Sequence, residues 1–212
     1  MRRFRFHRLF FVTPLVALVS IAVPTDSSFA QEASSPSQEA GKQAAVAPQQ
    51  ADAARTIDQM LTSLKRERDP EAANRISAEI LGAWNDSGSP TVNLLMQWAN
   101  TAISEKRNPA ALDFIDQAIV LKPDFVGAWN LRATLNYTMG NYRKSVTDIN
   151  HVLSLEPRHF GALAGLAAIL SERGSEEMAL KAWERYLDIY PADRNAQNLV
   201  NKLEEKLAGS RT

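Results

Sequence analysis

The stretch LKPDFVGAW at residues 121–129 returns 34 residues later as LEPRHFGAL at 155–163, and again as IYPADRNAQ at 189–197. A chain that writes a large apolar residue, a proline and then a helix opening at a fixed interval is repeating one structural unit. Stepping outward by the same 34 residues, small side chains recur at Ala99, Ala133 and Ala167, and again at Ala111, Ser145 and Ala179. Large apolar side chains recur at Ile115, Ile149 and Trp183, and at Ile119, Leu153 and Leu187. Within a unit the apolar spacing is three or four, the helical period. Gly140 and Gly174 fall mid-unit, where a helix stops and the chain reverses. Pro123, Pro157 and Pro191 close the units, because proline cannot donate to a continuing helix. Each unit therefore reads as two antiparallel helices. The small columns let helix backbones approach, the large ones fill the space between pairs, and Asp124 is placed to cap the helix that follows it.

This pattern resembles the tetratricopeptide repeat: Trp, Leu, Gly and Tyr, then Ala, Phe and Pro, over about 34 residues. The second unit supplies Trp129, Ala133, Gly140, Ser145, Ile149 and Pro157; the third supplies Leu163, Leu166, Ala167, Leu170, Gly174, Ala179, Trp183 and Pro191. The first supplies Leu95, Trp98, Ala99, Ala111 and Ile115, with Lys106 where glycine is expected; Arg132 and Asn136 also depart from the pattern. The resemblance implies an all-α, right-handed superhelical solenoid of antiparallel helix pairs, with units over 92–125, 126–159 and 160–191. Residues 54–91 read as a degenerate N-terminal helical pair that caps the stack as a repeat would. Residues 192–212 read as a C-terminal capping helix and tail.

The N-terminal segment reads as a secretory signal. Arg2, Arg3, Arg5 and Arg8 precede the apolar run LFFVTPLVALVSIAV, and Ser28 and Ala30 make a small-x-small end. The run has 15 residues and contains Pro14, short of the roughly 20 needed to cross a bilayer. Cleavage is expected after Ala30, with a retained anchor as the alternative and no stable membrane insertion once the segment is removed. Residues 31–53 are small, polar and proline residues apart from Val46, the composition of a flexible linker. The expected localisation is periplasmic or secreted.

Charge and composition narrow the chemistry. Removing residues 1–30 takes away four basic residues and one acidic one, leaving 20 against 23 and a net charge of −3. That is not the basic stripe a nucleic-acid backbone requires. There is no cysteine, so thiolate nucleophiles and thiolate metal sites are excluded. His151 and His159 read as surface residues, with no second ligand a helical turn away. Neither a Gly-rich phosphate loop nor a nucleophile elbow is present. The expectation is a non-enzyme with no cofactor, no metal and a protein or peptide partner from the cell envelope.

The resemblance implies that such a partner sits in the concave groove lined by the first helix of each unit. Its register puts Asn93, Met96, Asn100 and Ile103, then Asn130, Thr134 and Tyr137, then Ala164, Ala168 and Ser171 on that face. Chaperone-binding members of the family grip a peptide carboxylate with lysine, arginine and asparagine in these columns. Here Met96, Leu131, Gly161 and Gly165 stand there and only Asn100 matches, so a neutral groove of amides and an aromatic is implied. Leu94, Leu95 and Trp98 read as core, and the convex face or the N-terminal helices around Trp84 are the rival binding surfaces. The function expected is an exported scaffold. The alternative is a dedicated subunit of an envelope assembly machine, for cytochrome assembly, cell-wall synthesis, secretion or polysaccharide export.

Overall fold

A computed structural model describes residues 56–209, and among them it contains nine α-helices and no strand. The expected signal and linker, at 1–30 and 31–53, lie outside the described residues. The helices are α1 (56–66), α2 (Pro70–Trp84), α3 (Pro90–Ser104), α4 (Asn108–Leu121), α5 (Val126–Thr138), α6 (Tyr142–Leu155), α7 (Phe160–Glu172), α8 (Glu176–Ile189) and α9 (Arg194–Gly209).

The helices α3/α4, α5/α6 and α7/α8 form three tightly packed pairs, and α4 on α5, α6 on α7 and α8 on α9 join them into one stack. α5 also touches α7 directly, so the first helices of successive pairs line one face, as in a superhelical solenoid. The small columns sit where expected. Ala99, Ala111, Ala167 and Ala179 have no exposed surface, and Ser145 is buried with its hydroxyl donating to the Ala133 carbonyl at 2.8 Å. That bond satisfies the one polar member of the columns.

The turns inside the three pairs are copies of one another. Arg107, Asn141 and Ser175 each donate a backbone N–H to the carbonyl five residues earlier, at 2.8 Å in every case. The residue before each is left-handed: φ is 74° at Gly140, 72° at Gly174 and 59° at Lys106. This is a helix C-terminus closed by a 6→1 bond, a geometry that favours glycine because Cβ crowds the following carbonyl. Lys106 keeps the turn and bears the strain.

The connections between pairs end in an N-cap, but not with the residue expected at the second. α5 has no side-chain cap, and its N-cap position is Phe125 rather than Asp124. At the next two connections a side chain does cap. The Nδ1 of His159 accepts from Ala162 N–H at 3.1 Å, and Asp193 accepts from the backbone of Asn195 and Ala196 at 2.9 and 3.2 Å.

The N-terminal pair is helical, but it does not cap the stack by packing ahead of α3. It folds back over later repeats. The Trp84 ring stacks on His159 with centroids 4.2 Å apart and an 18° interplanar angle, and tilts against Phe160 at 5.2 Å. Asn74 Oδ1 accepts from the Tyr190 hydroxyl at 2.5 Å, and Asp58 pairs with Arg158 at 2.7 Å. Leu61, Leu64, Ala73, Ile80 and Trp84 share one core cluster with Phe160, Leu163, Tyr186, Tyr190 and Ala196. α2 therefore lies across the N-terminal ends of α5 and α7 and reaches the α8–α9 turn.

Candidate protein-binding groove

The residues expected to face the groove divide into three groups. Met96 is not available: it is 6% exposed and packs among Leu95, Phe125 and Ala128. Its neighbours invert with it, since Leu94 and Trp98 are 42% and 47% exposed. The reason is the displacement of α2. Leu94 and Trp98 lie where a preceding helix pair would pack, and none among the described residues does. Asn93 is half-buried and committed to the α2–α3 connection, accepting from Ser87 N and Oγ at 2.9 and 2.6 Å and donating to Asp86 at 2.7 Å. Lys122 closes the same loop by donating to the Ser87 carbonyl at 2.6 Å.

Asn100 is exposed and Asn130 half-exposed, and among the described residues neither side-chain amide has a hydrogen-bond partner. Thr134 is exposed, with its hydroxyl donating to the Asn130 carbonyl at 2.9 Å. Tyr137 is half-buried, its ring 5.8 Å from Tyr142 and its hydroxyl donating to Glu172 at 2.5 Å. That bond holds the Tyr137 hydroxyl above its ordinary range, and the two tyrosine hydroxyls hold the Glu172 carboxyl below its own. The tyrosine thus presents an edge of ring with its polar tip already used. What remains open is the Asn100 amide on α3, the Asn130 amide on α5 and an aromatic edge on α5.

The other end of the groove is occupied. A Cβ at Gly127 would lie 2.7 Å from the Trp84 carbonyl, and one at Gly161 would lie 3.8 Å from a Leu81 methyl. These two glycines are equivalent positions, 34 residues apart, and they sit under α2. Trp84 is itself only 6% exposed, so its side chain is not open to a partner while α2 lies there.

Of the two histidines expected at the surface, only His151 keeps partial exposure. His159 is 1% exposed, and burial pushes its imidazole down to about 4. His151 is half-buried against Trp129, with ring centroids 3.9 Å apart.

Arg132 and Asn136, the departures from the repeat pattern, belong to a polar network the sequence did not disclose. Arg132 grips Asp148 at 3.0 and 2.8 Å and Asp116 at 2.7 Å, and its guanidinium lies 4.6 Å from the centre of the Trp129 ring. Asn136 donates to Asp148 at 3.5 Å. Asp148 is buried, and the bidentate pair with Arg132 compensates its desolvation. The available signal was a basic residue at an apolar column with acidic residues 16 positions on either side.

Among the described residues no three His, Asp or Glu side chains group as metal ligands, and no helix is long and apolar enough to cross a membrane.

No family model matches the chain. A curated protein of Rhizobium etli, a TPR repeat-containing protein, is 68% identical over 156 residues, which covers 74% of this chain and 76% of that one. The chain belongs to the tetratricopeptide repeat family. Solved structures with the same fold include the first TPR of Spaghetti (RPAP3) bound to an HSP90 peptide, with a TM-score of 0.53 and 21% identity over 57% of this chain and 95% of that one. The Sgt2 TPR domain from Aspergillus fumigatus gives 0.52 and 18% over 58% and 83%.

Proposed function

We propose that this chain is an exported, non-catalytic scaffold that holds a peptide or helix of a cell-envelope protein in its concave groove. The tetratricopeptide solenoid is an architecture suited to protein–protein interaction, and the Spaghetti domain carries an HSP90 peptide, SRMEEVD. The observation that carries the reading here is that Asn100 and Asn130, on the first helices of adjacent repeats, are at least partly exposed and have no hydrogen-bond partner among the described residues, with Tyr137 on the same helix as Asn130. An amide both donates and accepts, so two of them match a peptide backbone. The columns in which a carboxylate clamp would stand hold Met96, Leu131, Gly161 and Gly165. An acidic C-terminus is therefore not the ligand we propose. Binding without charge pairs predicts weak dependence on salt.

The test is cross-linked capture from the envelope fraction, comparing the wild-type chain with Asn100→Ala/Asn130→Ala. Loss of a stoichiometric partner with the helical signal unchanged supports the reading. Capture of the same partner at the same affinity overturns it. Export is tested by intact mass: protein in the envelope fraction should begin at Gln31, and retention of residues 1–30 overturns cleavage.

A further inference from the structure

We propose that the N-terminal pair α1–α2 is a displaceable occupant of the groove. The surface beneath it, on α5, α7 and the α8–α9 turn, is then the seat of an amphipathic partner helix whose tryptophan takes the place of Trp84 over His159 and Phe160. This rests on the groove reading and names the kind of partner.

The seat is shaped for a helix. Gly127 and Gly161 occupy one repeat column, and the α2 backbone comes so close to Gly127 that no Cβ fits between them. In the first repeat the same column holds Asn93, which anchors the loop where α2 ends. The column is thus bare along the path of α2 and carries a side chain where that path stops. The floor is aromatic, with Phe160 edge-on to Tyr186 and Tyr190 at 6.2 and 5.9 Å, and it receives one large ring.

The pair is held there by contacts that another helix can replace. They are the apolar burial of Leu61, Leu64, Ile80 and Trp84, one hydrogen bond from Tyr190, and the Asp58–Arg158 bridge, whose side chains are 61% and 46% exposed. A displaced pair also has somewhere to go. Leu94 and Trp98 on α3 present the apolar face on which a preceding repeat packs, and α2 is joined to α3 through only residues 85–89. Leaving one apolar seat for another costs far less than exposing the pair to water.

The experiment uses the full chain and, as probe, a fluorescent peptide of residues 70–87. Trp84→Ala in the chain should let the peptide bind at least ten-fold more tightly than the wild type does. A Trp84→Ala peptide should not bind. Because the chain has no cysteine, Asp58→Cys/Arg158→Cys joined by a short bis-maleimide fastens the pair and should abolish uptake. Uptake by the fastened chain equal to that of the unfastened one overturns the proposal, as does no uptake by a folded Trp84→Ala chain. Should Trp84→Ala unfold, hydrogen exchange of the wild type decides. Amides of 70–84 exchanging at least ten-fold faster than those of α5–α8 support displacement, and equal protection overturns it. A chain that needs Asn100 and Asn130 for its partner yet never takes up the peptide keeps the groove reading and loses this one.

Discussion

Lys106 sits at φ 59° in a turn whose two copies use glycine. A left-handed residue with a Cβ costs about 1–2 kcal/mol, so Lys106→Gly should raise stability by about 1 kcal/mol in a denaturant titration, while Gly140→Ala should lose a similar amount. His159 makes a different prediction. Its folded pKa lies near 4 against an ordinary 6.5, so between those values the unfolded chain holds a proton that the folded chain does not. Stability should be full above about pH 6.5 and fall by up to about 3 kcal/mol as pH drops toward 4. His159→Asn keeps an N-capping acceptor and should flatten that slope. An unchanged slope would assign the acid sensitivity to other groups. At Asp148 the cost is burial: Arg132→Ala leaves the carboxylate unpaired and should cost about 3–5 kcal/mol.

At the scale of helices, close approach is what the small residues provide. Ala133 is 2% exposed, with its carbonyl engaged by Ser145. Ala133→Leu should overpack the α5–α6 contact and cost about 1–3 kcal/mol. The glycines offer a cleaner comparison. Gly127→Ala drives a methyl into the α2 backbone, whereas a Cβ at Gly82 meets nothing within 4 Å. Thermal melts should therefore show Gly127→Ala destabilised and Gly82→Ala unchanged or stabilised by up to about 1 kcal/mol, since Gly82 lies on an exposed face inside α2. The repeated helix pairs were legible because a 34-residue period exposes the same constraint three times. Asp124 as a cap was not, because an acidic residue after a proline is a common signal and the backbone made Phe125 the boundary residue.

For the whole molecule, the sequence alone determined the three-pair solenoid, its turns and its buried small columns, because each rests on contacts within a pair or between neighbouring pairs. Those contacts recur with the period, so any one copy predicts the others. The tertiary structure alone decided where the N-terminal pair lies. Nothing in its periodicity distinguishes packing on α3 from packing on α7, since either buries the same amphipathic face. That choice turned Leu94 and Trp98 outward, sank His159 under Trp84, and divided the groove into an occupied end and an open one. The Arg132–Asp148 network was hidden for the same reason: its members are distant in sequence, and only the packing of repeat on repeat makes a charge in an apolar column stabilising.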